Sequence, residues 1–492
     1  MNLKVVFNKP ENLALLVTGL SLLISVPAAA DPDSPPGGGA SPTEVVPPPA
    51  PPDPSAPAPT PPDPAAAPPG NTAAPPPVGP TVDMPPDATT AEPAPTAPAI
   101  DDRDLVRGLR ERRFEEASAG ATVLGGYGEL HYNLELPENG ESEAELDLHR
   151  FVLFLAHKFD EHFRLYAEIE IEHAFASAEM PGEVEMEQAF VDWQPWGEAL
   201  GLRAGVVLVP MGIINQWHEP PVFHGVERPR VDRVIIPTTW REGGVGIFGE
   251  PVEGLRYELY LVGGLNPLRF NARNGIREGR QSVAEGVANG PAVTGRIEWE
   301  PALGLLLGGS AYFGAAGPNA GELNRLVGRD LVTGAPILER LDIGVPVLGL
   351  SADVRLRMHG LEARAAFATF SVGNTAALRQ AVDDAGDSLG IDVGSRSIGA
   401  YAEVAYDVLR LVTQTDMQLL PFVRFEYYDT MASITGRSRA PADDAFRGTD
   451  LAFGLSYRPI TQVVIKGDFI YRNPGGAGSA ERLVDFGVGW MF

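Results

Sequence analysis

The chain has 492 residues, of which 44% are hydrophobic, and a net charge of −27. No internal run reaches the roughly 20 apolar residues that a membrane helix needs, so a membrane could be crossed only by strands. The absence of cysteine excludes disulfides, thiolate catalysis, zinc–thiolate sites and an acylated lipobox cysteine, while the acidic balance argues against nucleic acid as a partner.

Residues 1–30 read as an export signal. Lys4 and Lys9 supply the positive start, Leu13 to Val26 the short apolar stretch, and Ala28-Ala29-Ala30 a small-residue cleavage site before Asp31. A retained N-terminal anchor is the alternative. Residues 31–100 are almost wholly Pro, Ala, Asp, Thr and Gly and cannot bury a core, which predicts an extended, partly polyproline-II segment. As a mature N-terminus it would lie in the periplasm, as a passive spacer or as a tether toward peptidoglycan. Residues 101–120 differ again. Leu105, Leu109 and Phe114 among Arg and Glu predict a short charged helix, either in a three-stranded coiled coil or at a barrel mouth.

From Ala121 to Phe492 the period changes to two. In Phe163–Glu172 the odd positions are apolar and the even ones are Arg164, Tyr166, Glu168, Glu170 and Glu172. The same alternation runs through Leu255–Leu261, Val293–Glu300, Ala352–Arg357, Val423–Tyr427 and Val463–Arg472, and more weakly through Val184–Trp193 and Leu303–Phe313. Alternation alone fits a soluble sandwich as well as a membrane barrel. The connections separate the two. Tight links near 160–161, 197–198, 252–254, 302–304, 359–360, 411–415 and 459–461 alternate with longer loops near 137–143, 177–182, 213–240, 266–289, 317–344, 373–395, 430–447 and 474–479. Short turns on one side and long loops on the other predict an all-β transmembrane antiparallel barrel of about 16 strands, with both ends on the short-turn side. Trp193, Trp196, Trp299 and Trp490 fall near strand ends, where an interfacial aromatic girdle sits. In the last strand Val484, Phe486, Val488, Trp490 and Phe492 share one face. Phe486, Trp490 and Phe492 are the candidate assembly signal for a barrel-assembly machinery, and outer-membrane lipid and lipopolysaccharide are the expected surroundings.

A barrel of that size leaves an aqueous channel, which predicts passive passage of small hydrophilic solutes. The expected obstruction is the loop Ile213–Trp240, stiffened by Pro220, Pro221, Pro229 and Pro237. Its Arg228, Arg230 and Arg233, with Arg241 at its far end, are the candidate constriction. Parity turns Arg164, Glu168, Glu170, Arg256, Arg296, Arg355, Arg424 and Lys466 toward the lumen, in a wall of mixed sign where cross-strand ion pairs are expected. His218, Glu219, His224 and Glu227 share the loop but match no ligand spacing, so a packed loop is expected and no metal or cofactor. No Gly-x-Ser-x-Gly surrounds a serine and no local triad assembles, so no enzyme is expected.

The segments Leu202–Gly212, Val226–Val231 and Arg241–Ile247, with the opening Gly126–Leu130 and the Arg150-bearing second strand, resemble the phosphate-selective porin O/P family. The specific likeness is confined to Leu202–Gly249. The resemblance implies a trimeric, 16-stranded, anion-preferring outer-membrane porin whose lumenal arginines guide phosphate. The mixed wall departs from that pattern. A structural barrel tethered to the cell wall by its Pro-rich N-terminus is the alternative reading.

Overall fold

A computed structural model describes residues 119–492, apart from 175–181, 285–289, 317–323, 330–335, 341–343, 385–391, 414, 437–445 and 477. The expected signal segment, the Pro-rich segment and nearly all of the charged helix lie outside the described residues.

The period-two segments form strands β1 (Thr122–Pro137), β2 (Glu143–Lys158), β3 (Phe163–Glu172), β4 (Val184–Trp193), β5 (Gly201–Leu208), β6 (Arg241–Val252), β7 (Leu255–Gly263), β8 (Pro291–Ala302) and β9 (Leu305–Ala316). After the short pair β10 (Asn324–Arg329) and β11 (Pro336–Arg340) come β12 (Val345–Met358), β13 (Leu361–Val372), β14 (Arg396–Tyr406), β15 (Gln418–Ser433), β16 (Arg447–Ile460), β17 (Val463–Pro474) and β18 (Glu481–Met491). All but β10 and β11 close into one antiparallel ring of 16 strands, each paired with its neighbour in the chain, and β1 meets β18. At the seam Leu130 stands opposite Val488, and Gly126 and Phe492 exchange both backbone hydrogen bonds at 2.9 and 3.1 Å. Closure removes the free edges that an open sheet would expose.

The two faces are inverted relative to a soluble protein. Phe425 is 53% exposed while its neighbour Arg424 is 2% exposed. Leu259, Leu261, Val293, Ile297, Phe313 and Phe453 likewise point outward into the open, whereas Glu168, Glu170, Arg296 and Glu426 are buried within. Leaving such large apolar side chains in water would forgo roughly 1.5–3 kcal/mol each, so this exterior is built for lipid. At the short-turn end Phe163 stacks on Trp193, which in turn lies 5.3 Å from Trp196, and Trp299 is exposed at the same level of its strand.

Turn chemistry accounts for the short links. Asp160 accepts hydrogen bonds from the backbone N–H groups of His162 and Phe163, both at 2.7 Å. His359 and Gly360 both have positive φ, 52° and 85°, which is the two-residue hairpin that matches strand twist. Two long connections expected as plain loop contain regular structure. One holds the β10–β11 hairpin, and the other holds a helix, α2 (Thr375–Asp384), while a single turn, α1 (Val231–Val234), lies in the loop after β5. The weak alternation of Val184–Trp193 has a specific cause. The register slips between Glu168 and Ile169, which face Gln188 and Met186, so Glu187 is an extra residue and both Glu187 and Gln188 turn inward.

Candidate functional site

The connection from β5 to β6 is buried along most of its length. Val209, Met211, Ile213, Ile214, Phe223, Val226, Val231, Ile235, Ile236 and Trp240 are each no more than 1% exposed. A loop standing in water could not bury such a row. Its base is tied by Asn215, whose amide donates to the Val209 carbonyl and accepts from the Trp240 N–H, each at 2.7 Å. Trp240 packs against Tyr312 of β9 and Phe370 of β13.

Backbone groups carried away from water need partners, and the barrel wall supplies them. Arg150 of β2 donates to the His218 carbonyl (2.6 Å), Ser456 of β16 to that of His224 (2.6 Å) and Lys466 of β17 to that of Gly225 (2.8 Å). The N–H groups of Gly212, Val226 and Val231 donate to Ser351, Asp468 and Glu426. The loop therefore lies across the lumen, touching strands on both sides of the ring. Glycines on the wall make room for it. A Cβ on Gly489 would stand 2.3 Å from the Cβ of Pro220, and one on Gly399 would stand 2.8 Å from Ile235.

Three charged networks hold the loop and wall together. His224 sits between Glu403 (2.7 Å) and Glu362 (2.9 Å). Glu403 also accepts from Arg364 and Arg424, Arg424 continues to Glu426, and Arg357 and Arg458 reach Glu362. Beside this network a small cleft of about 50 Å³ is lined by Ile213, Val222, His224 and the Arg355–Arg357 and Glu362–Arg364 segments. A second network joins Arg150 to Glu129 (2.6 Å), Glu129 to His131, and His131 to Glu227 of the loop. In the third, Arg296 grips Asp353 with two hydrogen bonds and shares Glu298 with Arg355. The expected lumenal set, Arg164, Glu168, Glu170, Arg256, Arg296, Arg355, Arg424 and Lys466, shares the inward face of its strands; Arg296, Arg355 and Arg424 belong to these networks, Arg256 pairs with Glu250, and Lys466 holds a loop carbonyl.

The four arginines singled out from sequence do not converge. Arg241 is buried against Glu185 of β4. Arg230 lies 5.0 Å over the ring of Tyr428 on β15, nearly across the ring of strands. Arg228 donates to Thr239, and Arg233 pairs with Glu227 at 3.3 Å with its side chain 45% exposed. Two further arginines adjoin this loop. Arg277 and Arg280 belong to the next long loop, where Leu265, Phe270 and Ile276 are also buried, and Arg280 donates to the Thr238 carbonyl. Burial and the nearby Arg472 lower the pKa of Arg230, and burial and Arg233 lower that of Arg277. Burial, Arg277 and Arg241 bring Arg280 down to about 10. Arg233, Arg277, Arg280 and Arg241 therefore act on one another across the two loops, and Arg230 is acted on by Arg472 of β17 and by Arg233. The signal available in sequence was the run Arg269, Arg273, Arg277 and Arg280.

Asp232 is a buried acid of the loop, 2% exposed. Burial pushes its carboxyl up from 3.8 to about 7, Glu426 and Asp353 add to the rise, and Tyr401 and Arg364 offset part of it. A docked Asp232 therefore holds a proton that an undocked one releases. Its contribution is full below pH 3.8 and is lost as the pH climbs through about 7. Relative to Asp232→Asn, the wild type should lose about 2–3 kcal/mol of unfolding free energy between about pH 5 and about pH 8. Urea titrations of both proteins at the two pH values check this, and parallel behaviour of the two would refute it.

The loop residues considered as metal ligands are dispersed. His224 goes to Glu362 and Glu403, Glu227 goes to His131, and only His218 meets another carboxylate cluster. Glu168, Glu187 and His218 bring ligand atoms within 4.8 Å of one another.

No family model matches the chain. An uncharacterized protein of Aquifex aeolicus (strain VF5) is 33% identical over 377 residues, 75% of this chain and 79% of that protein. Similar solved structures include an anion-selective porin from Comamonas acidovorans, 10% identical with a TM-score of 0.48, covering 76% of this chain and 100% of that one. Others are the outer membrane channel DcaP of Acinetobacter baumannii, 9% identical with a TM-score of 0.47, and Salmonella typhi OmpF in complex with daunomycin, 13% identical with a TM-score of 0.47. Each covers 76% of this chain and 98% of its own.

Proposed function

Since the chain belongs to one family with the Aquifex aeolicus protein, and its described residues close a 16-stranded ring with an apolar exterior, we propose that it is an outer-membrane porin. In this reading small hydrophilic solutes diffuse past the loop in its lumen, and anions, phosphate among them, pass more readily than cations. The resemblance in Leu202–Gly249 adds a homotrimer, with the N-terminal segment on the periplasmic side.

The observation that carries the sign of selectivity is a difference in exposure. The wall acids Glu129, Glu168, Glu170, Glu187, Glu403 and Glu426 are each at most 4% exposed, and the more open Glu227 and Glu185 are paired with Arg233 and Arg241. Most are tied to arginine or histidine, and a buried, neutralised charge does little to a passing ion. Arg230, Arg233, Arg277 and Arg280 are instead partly or well exposed. Arginine's planar fork suits a phosphate oxyanion, and such a cluster concentrates anions near it.

The test is the reversal potential of the full-length protein in planar bilayers across a KCl gradient. Wild type should prefer chloride, and the triple variant Arg230→Ala, Arg277→Ala, Arg280→Ala should lose that preference. Added inorganic phosphate should reduce chloride current only in the wild type. A cation preference unchanged by the three substitutions would show that the acids set the field.

A further inference from the structure

Glu168 of β3, Glu187 of β4 and His218 of the inward loop meet at the wall, and the side chains of His218 and Glu187 are both 0% exposed. His218 Nε2 and Glu187 Oε1 lie 2.8 Å apart, an ion-pair distance without the alignment of a hydrogen bond. The other ring nitrogen, Nδ1, faces the Asn215 carbonyl oxygen at 3.3 Å and can only donate to it. In the neutral tautomer the Nε2 lone pair is directed toward a carboxylate oxygen, an arrangement that either a proton or a bound cation relieves.

The surroundings are arranged as those of a cation. Tyr166 and Gln188 both donate to Oε2 of Glu168, at 3.2 and 2.5 Å, and Tyr127 donates to Oε2 of Glu187 at 3.4 Å. Donors on the outer oxygen fix a ligating carboxylate, as the carbonyl on Nδ1 fixes a ligating histidine. Finally, Glu187 is inward only because β4 carries its bulge there, and a bulge that re-aims one side chain usually has a use for it.

We propose that Glu168, Glu187 and His218 bind a divalent cation of the zinc class, which clamps the inward loop to β3 and β4. One imidazole and two carboxylates suit that class, and a water would complete four-coordination.

The test uses the full chain, refolded in detergent from urea with EDTA, dialysed, loaded with ZnCl₂ and desalted, with bound zinc measured by elemental analysis. Wild type should retain about one zinc per chain. His218→Ala and Glu187→Gln should each weaken retention against a competing chelator by about tenfold or more. Heat-dependent gel mobility identifies the variants that fold, and Glu187→Gln, which keeps size and shape, covers the case in which His218→Ala does not. His149→Ala with His173→Ala, at the separate histidine pair around Asp147, should retain zinc as the wild type does. The proposal is overturned if wild type holds no zinc, if both site variants hold as much as wild type, or if the metal is lost only with His149 and His173. A buried imidazolium–carboxylate pair would give the first of these results.

Discussion

Replacing residues 213–238 with a short Gly-Ser linker should raise single-channel conductance severalfold while the barrel still assembles. The loop obstructs the lumen but takes no part in the strand ladder. The ring is closed by pairing between neighbouring strands, and β5 and β6 are held by their own register from Gly201 opposite Phe248 to Leu208 opposite Arg241. A ring of this strand number encloses a water-filled interior once nothing is packed inside it. Wall groups that now serve the loop, such as Arg150, Lys466, Ser456 and Asp468, would recover water as partner, so their loss of the loop carries little penalty. Ion selectivity should weaken as conductance grows, because Arg230 and Arg233 leave with the loop and the remaining arginines face a wider path. Conductance indistinguishable from wild type, in a variant with native heat-modifiable mobility, would mean that the conducting path does not run past this loop.

What could be read from sequence, and what could not, follows from the range of the interactions concerned. Strand and turn positions depend on neighbours one or two residues apart, so the alternation in Phe163–Glu172 and the tight link at His359-Gly360 placed β3 and the β12–β13 turn correctly. Inward and outward faces follow from the same parity, and Phe425 and Arg424 obey it. Parity gives a face, however, and not a neighbour. That His224 sits between Glu362 and Glu403 depends on residues 138 and 179 positions away, which no local pattern records. The four candidate arginines were grouped because they are close in sequence, and the folded loop sends Arg241 and Arg230 to different walls. The metal candidates were grouped in the same way and scattered for the same reason. Glu187 was hidden by the bulge, since the extra residue that turns it inward is also what blurs the alternation of its strand.

Glu403→Ala is expected to be among the most destabilising single substitutions on the wall, by about 3–5 kcal/mol. Glu403 is 4% exposed and is the common acceptor for Arg364 (2.7 Å), Arg424 (3.2 Å) and His224 (2.7 Å). Its removal leaves Arg364 facing the His224 ring at 2.9 Å with no carboxylate between them. Arg424 keeps Glu426, so its share of the loss is partial. The loop is then pushed away from the wall at His224, where the Ser456 contact also holds it. Glu403→Gln should fall between alanine and wild type, because the amide can still accept one hydrogen bond but carries no charge. Glu250→Ala is the matched control. The Glu250–Arg256 pair spans 3.4 Å with both side chains 23% exposed, and Glu250 also accepts the Gly254 N–H at 2.7 Å; a half-open pair and one turn hydrogen bond together contribute about 1–2 kcal/mol. Urea unfolding of the three variants in lipid vesicles, followed by tryptophan fluorescence, gives the order directly. Equal losses for Glu403→Ala and Glu250→Ala would mean that water screens both sites alike and that the interior network is not what fixes the loop. The expected order, with a rise in conductance confined to the Glu403 variants, would tie the stability of the network to the width of the path.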